Sequence, residues 1–551
     1  MFFKYILNIY PEHISRTYIL NMCFNIHFKF VGVTMTDEKK STGGNIDVFS
    51  QSSGRIKDVK IEKIFSDVLS SVVSGRDSEK EVIGKAEKIL SALRKSAEKA
   101  GYIVSIELGG SAAKKTFLRQ DFDCDVFVRF DYDKYSEHDS ELSSYLKKII
   151  LDAGFSPVEL HGSRNYFQFI ADDLKFELVP VLWLKSIHEI KHAKNVTDAS
   201  PFHVYWFNKK CDLSARIPEK SSQDPSVIGD TNPDIYRLNN QVRLTKIFSK
   251  AQRVYGAESY IQGFSGHVLD ILIVHFGNFY NLADFFAKQD EMLDLKKYDP
   301  KKIVIDVEGF YHGKDSLEVQ KLLNPSKIDS PIIIIDPISK DRNASSSIGL
   351  DKFNKFIRAC RRFIDAPDGS LFKKIQISGS NLKDNILKKR ILELKKRGLE
   401  SYCIICKVEP KSGKKDIVGA KIKKVAEYIA QKLTSNSFEV YDFDFELIKK
   451  DVPEKVVVND SEDFSESFIW FFVDKSRLEK EYLWAGPPKK EKVHAESFME
   501  KHKSAVELDG RLYAKISREH TDAYEFVKTI VDDANISGRC KSISFDKFDS
   551  T

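Results

Sequence analysis

Gly109-Gly110-Ser111-Ala112-Ala113-Lys114-Lys115-Thr116, followed closely by Asp123-Cys124-Asp125-Val126-Phe127-Val128-Arg129-Phe130, is the part of the chain that decides the fold. The second segment alternates as a strand does, so residues two apart share a face. Asp123 and Asp125 therefore present two carboxylates on one side while Cys124 faces the other. Carboxylates this close repel each other unless a cation neutralises them, and hard oxygen ligands favour Mg²⁺. In the first segment two glycines let the backbone approach an anion, and Ser111 with the first amides of a short helix can bind phosphate. Phosphate binding beside metal binding, on a strand–turn–helix–strand frame, is the expectation.

Working outward, residues 77–100 read as an amphipathic helix ended by Gly101, with Val82, Ile83, Ala86, Ile89, Leu90 and Leu93 on its apolar stripe. Tyr102–Leu108 reads as a strand, and Tyr166–Ile170 with Leu174–Leu182 as a hairpin about Ala171-Asp172-Asp173. Within that hairpin Glu177 interrupts the run from Phe176 to Leu178. A carboxylate there is costly to bury unless it is paired or metal-bound, which makes it a third acidic candidate against a salt bridge to Lys175 or Arg129. Residues 234–300 turn helical, Pro331–Asp336 is an apolar strand, and a helix runs from Leu350 to Ile364. Beyond residue 370 the pattern resembles βαβ: strands at Tyr402–Val408, Phe438–Phe445 and Phe468–Val473, and a helix at Ile422–Leu433.

With 551 residues, 42% hydrophobic and 30% charged, the chain has a globular composition and room for three or four modules. A net charge of +6 excludes a simple polybasic nucleic-acid binder and leaves room for a local basic groove. Basic residues among apolar ones at Phe372-Lys373-Lys374, Lys388–Arg390, Lys395–Arg397, Lys411–Lys424 and Lys489–Lys492 point to backbone contacts with a folded RNA in the second half. Seven scattered cysteines suggest a reducing, cytoplasmic setting, and Cys403-Ile404-Ile405-Cys406 reads as buried strand, not a metal or redox pair. Charges interrupt the aromatic first 35 residues too often for a membrane span. The polar stretch to residue 58 reads as disordered, and translation from Met35 is one reading of that end.

The ordered set of motifs resembles the archaeal, class I CCA-adding enzymes of the polymerase-β-like nucleotidyltransferase superfamily. Pro201-Phe202-His203, Val242–Lys246 running to Val254–Glu258, Gly263-Phe264-Ser265-Gly266, Ile335–Asn343 and Trp484–Pro488 fit the same family. The resemblance implies an α+β multidomain chain: an N-terminal extension at 1–58, a catalytic head at 59–205, a mainly helical central domain at 206–350 and an α+β, tRNA-binding body and tail at 351–551. It implies that Asp123, Asp125 and Glu177 hold two Mg²⁺, and that Ser111, Lys114, Lys246 and Tyr255 contact the triphosphate. It also implies that Ser200 and His203 lie near the nucleotide and that Arg342 helps the RNA end form a pocket accepting C or A. The implied partners are tRNA, CTP and ATP, with no membrane, and a homodimer is compatible with the family. Three departures stand out: Asp198-Ala199-Ser200 lacks the usual arginine, Lys115 replaces Gly or Asn, and Glu177 replaces Asp. They bear on nucleotide affinity and rate more than on reaction class. A poly(A)-adding or oligoadenylate-forming transferase, or a silent RNA-binding protein on the same scaffold, are the alternatives.

Overall fold

A five-stranded sheet carries the twin-aspartate strand near one edge. The computed structural model describes residues 59–72, 76–118, 122–216, 233–292, 296, 298–374, 382–449 and 464–549. The expectations for residues 1–58, Met35 included, lie outside them. The first two helices are α1 (Val59–Val72) and α2 (Arg76–Lys99). Strand β1 (Val104–Leu108) and the one-turn helix α3 (Gly110–Ala113) lead into β2 (Asp123–Asp131). Helix α4 (Leu142–Asp152), β3 (Val158–Leu160), β4 (Tyr166–Ala171) and β5 (Leu174–Trp183) complete the head. The strand order is β1-β2-β5-β4-β3, with β2 and β5 parallel and the other pairs antiparallel.

One face of the sheet carries the head's core. Cys124, Val126, Val128 and Phe130 of β2 are fully buried and share one hydrophobic cluster with Leu90 and Leu93 of α2 and Leu146 and Ile149 of α4. Period-two alternation then sends Asp123 and Asp125 to the opposite face.

A second body follows. Its helices are α5 (Ser200–Arg216), α6 (Leu238–Ala251), α7 (Gly266–Phe276) and α8 (Phe279–Ala287). A small three-stranded sheet, β6 (Ile303–Ile305), β7 (Ile332–Asp336) and β8 (Ser339–Asn343), precedes α9 (Leu350–Asp365). Helix α5 runs continuously through position 205. Helix α1, although it opens the head as bounded in the sequence (59–205), packs into this second core: Phe65 lies 5.7 Å from Phe279 and 6.0 Å from Phe363, ring centre to ring centre. Phe248, Phe286, Phe356 and Phe372 extend the same aromatic cluster. Each buried phenyl contributes about 1.5–3 kcal/mol, so this core, and not the head's, anchors the chain's first described helix.

The C-terminal region contains β9 (Ser401–Pro410), α10 (Lys415–Ser435), β10 (Val440–Lys449), β11 (Phe464–Asp474) and the last strand, β15 (Cys540–Phe548), in the antiparallel order β10-β11-β9-β15. A separate three-stranded sheet is formed by β12 (Glu481–Pro488), β13 (Val506–Leu508) and β14 (Arg511–Ser517). Cys406 joins the cluster on the α10 face of β9 and Cys403 the cluster on the other face. Two cysteines three apart on a strand point to opposite sides, so this pair cannot chelate one ion.

Candidate active site

The turn before α3 is bolted to the strand behind it. Gly109 donates its N–H to the carbonyl of Asp125 at 2.7 Å. Gly110 adopts φ +48°, in the left-handed region, and a Cβ there would lie 1.6 Å from Asp125 Oδ2. The carboxylate thus sits directly against a glycine backbone and accepts the N–H of Ser111.

Asp125 stands opposite Glu177 across the parallel pair β2/β5, and Asp123 stands opposite Lys175. All three acids therefore share the sheet face opposite the core formed with α2 and α4. Asp123 is exposed, with Lys175 Nζ at 3.8 Å. Glu177 accepts a hydrogen bond from Gln168 Nε2 at 2.8 Å. Arg129, the other partner considered for Glu177, pairs with Glu107 at 3.1 Å. Burial, then the charges of Glu177 and Asp123, push the Asp125 carboxyl up to about 6. A like-charged cluster of hard oxygens beside a phosphate-type turn is the donor set a divalent cation would neutralise, so the residues fit Mg²⁺.

The cations expected near the phosphates come from two bodies. Lys114, at the end of α3, is nearly buried and donates to Asp270 Oδ2 of α7 at 2.6 Å. Lys246 of α6 donates to Thr116 Oγ1 at 3.0 Å and to the Thr116 carbonyl at 3.2 Å, and burial pushes its ammonium down to about 8. Tyr255 directs its hydroxyl at Gly266, where a Cβ would sit 3.1 Å from the oxygen. Burial pushes its phenol up, so it stays a neutral donor and acceptor. Ser265 caps α7 through the N–H of Val268, which explains the Gly-Phe-Ser-Gly segment as a tight entry into that helix.

Ser111, Lys114, Asp123, Asp125, Lys246 and Tyr255 line one cleft of about 1300 Å³ together with His267 and Asp270. Among the described residues, Glu177, Ser200, His203 and Arg342 stand outside that lining. Glu177 is one strand behind it. Ser200 opens α5, whose start is fixed by buried Asp198, which accepts from Leu182 N at 2.8 Å and from Arg164 at 2.7 Å. One turn on, His203 Nε2 lies 3.0 Å from both oxygens of Asp336. Arg342 Nη1 is 3.3 Å from the same carboxylate, so its partner is Asp336 and not its neighbour Asp341. Consecutive residues on β8 point to opposite faces.

Sequence reasoning missed three residues: Asp270, His267 and Asp336. Asp270 offered the same signal as Glu177, a carboxylate inside the apolar run Val268–Ile273. Asp336 closes the run Ile332–Ile335, and its histidine partners come from far away in sequence. His203, His267 and Asp336 bring ligand atoms within 4.8 Å of one another. Asp336 is hydrogen-bonded to His203 and ion-paired with Arg342, which already supplies a positive charge at that carboxylate. No helix among the described residues is long and apolar enough to cross a membrane.

Residues 240–373 match the family model described as tRNA nucleotidyltransferase, second domain. The chain is 31% identical over 441 residues to the CCA-adding enzyme of Nanoarchaeum equitans, covering 80% of this chain and 90% of that protein. It is 27% identical over 497 residues to the CCA-adding enzyme of Methanocaldococcus jannaschii, covering 89% and 93%. With the CCA-adding enzyme of Thermococcus kodakarensis it shares 24% identity over 385 residues, covering 69% and 74%.

Proposed function

Because this chain belongs to the CCA-adding enzyme family, and is thereby a nucleotidyltransferase, we propose that it rebuilds the 3′ end of tRNA. It adds C, C and A from CTP and ATP without a nucleic-acid template and releases pyrophosphate. The observation that carries this reading is the abutment of the Gly109-Gly110 turn on Asp125, with Asp123 and Glu177 on the same sheet face.

Asp123, Asp125 and Glu177 would hold two Mg²⁺. When bound, the ions lower the pKa of the tRNA 3′-hydroxyl and neutralise charge on the α-phosphate and the leaving pyrophosphate. A carboxyl that titrates near 6 among like charges is ready to give up its proton once a dication is near. The protein's own part is alignment. The Ser111 amide and hydroxyl, Lys114 and Lys246 would meet the triphosphate oxygens. The triphosphate would supply the counter-charge that buried Lys246 has only in part, and so hold it protonated. The neutral Tyr255 hydroxyl would add a directional hydrogen bond. Ser200, His203 and Arg342 would contact the nucleoside end.

Lys250, Lys352, Arg362, Lys374, Lys389 and Lys415 line the same cleft and support an RNA backbone as its second occupant. The cysteines described are free thiols, which supports a reducing, cytoplasmic compartment. Incubation with tRNA lacking its last three nucleotides, plus CTP and ATP, followed by sequencing of the 3′ ends, tests the reading. Ordered C, C, A addition is expected, lost in D125A with tRNA binding retained. Addition of A alone would point instead to a poly(A)-type transferase.

A further inference from the structure

Asp336 is fully buried at the end of β7. A buried carboxylate is costly unless its oxygens are satisfied and its charge is met. Its oxygens are met by Ile338 N–H at 3.0 Å and His203 Nε2 at 3.0 Å, with Arg342 Nη1 at 3.3 Å and His267 Nε2 at 3.5 Å. Three elements, α5, α7 and β8, thus converge on one side chain of β7.

Burial alone would raise the Asp336 carboxyl, but hydrogen bonds and charge from His203 and His267 hold it well below the usual carboxylate range. Burial, then the neighbouring His267, pushes His203 down to about 4, and burial lowers His267 as well. Of the three side chains that reach Asp336, only Arg342 is a permanent cation. The Arg342 side chain is 43% exposed. A guanidinium carries five N–H donors in one plane, so an anchor on one edge fixes the direction of the others. His267, in contact with the same carboxylate, lines the cleft that holds Asp125 and Lys114.

We infer that Asp336 is the positioning residue for nucleotide selection, fixing the plane and aim of Arg342 so that its outward donors meet a ring-nitrogen acceptor on the incoming base. The inference rests on the reading that Arg342 contacts that base. Asp336 acts through Arg342 and touches no substrate itself. His203 completes the seat as a hydrogen-bond partner and His267 packs beside it, while Arg342 brings a permanent positive charge to the carboxylate.

D336N is the sharpest variant. Its amide oxygen still accepts from His203 and Ile338, whereas its charge is gone and an N–H faces Arg342. The readouts are kcat and KM for CTP, ATP and UTP on tRNA lacking its last three nucleotides, with R342A and the double variant alongside. D336N is expected to lower discrimination against UTP at least tenfold and to match R342A, with the double variant no worse than either. A merely structural role would lower all three rates together and leave the ratio unchanged. Wild-type discrimination in D336N with loss in R342A overturns the inference alone. Retained discrimination in R342A overturns the base-contact reading and the inference with it. Should D336N fail to fold, histidine-labelled NMR of R342A decides: removal of the cation is expected to raise the His203 titration toward its ordinary value. An unmoved titration shows that Arg342 and Asp336 are not coupled and overturns the inference.

Discussion

Gly110 and Asp125 share one small volume: the glycine's missing side chain is the space that the carboxylate's Oδ2 fills, since a Cβ would come within 1.6 Å of it. The contact explains why a glycine stands there, and the positive φ makes the same demand independently. G110A should therefore displace the carboxylate, lowering CTP incorporation about 100-fold or more while tRNA binding persists. Steady-state rates beside a filter-binding curve check it, and a near-normal rate would show that the approach is dispensable.

Asp125 gives a pH prediction with a definite sign. Its folded value, about 6, lies above its ordinary one. The folded state binds the extra proton, so this group's contribution to stability falls as pH rises from about 4 to about 6. The full destabilisation, up to about 3 kcal/mol for a shift of this size, is present above that window and absent below it. Without metal, D125N should melt higher than the wild type at pH 7.5 and equal to it below pH 4. Mg²⁺ should raise the wild-type melting temperature and leave that of D125N nearly unchanged.

Lys114 and Asp270 form a nearly buried pair across two bodies. D270N leaves the lysine without that counter-charge, a loss of about 3–5 kcal/mol for a broken buried pair. On the proposed role of Lys114, a triphosphate would bring its own charge to the same ammonium. CTP should therefore raise the melting temperature of D270N by more than it raises that of the wild type. An equal shift in the two proteins would mean that Lys114 does not reach the nucleotide.

Arg253 holds the C-terminal sheet to the helical body. Its guanidinium pairs with Asp444 at 3.0 Å and with Glu446, and lies 5.3 Å from the Trp470 ring. Asp444 is held well below the usual carboxylate range, against the cost of burial, by Arg253, Lys352 and Lys355. This carboxylate's stabilisation is present above its ordinary value and is lost as pH falls below it. R253M should destabilise by about 2–4 kcal/mol at pH 7, with a smaller effect at pH 3, and should expose the segment after Asp365 to proteolysis.

The parts of the site readable in advance were those set by local periodicity. Asp123 and Asp125 share a face because strands repeat every two residues, and Glu177 was conspicuous as a charge between Phe176 and Leu178. The seat at Asp336 was not readable, because His203 comes from 133 residues away and only the packing of α5 against β7 brings the two together. Proximity in sequence was a poor guide to Arg342: Asp341 is adjacent, yet the pleat turns it away. Helix α1 did not stand out in the sequence, and nothing local said that its Phe65 would meet Phe279 and Phe363 and not the head.

The groups suited to grasping a triphosphate are also the fasteners between head and helical body: Lys114 to Asp270, Lys246 to Thr116, with Asn208 to Ala113 and Arg243 to Phe117 beside them. A ligand that recruits the two lysines withdraws two of these fasteners and puts its own phosphates between the halves. If the two lysines meet the triphosphate as proposed, nucleotide occupancy and the tightness of that joint would be one variable, and each departure of pyrophosphate would return the lysines to their resting partners.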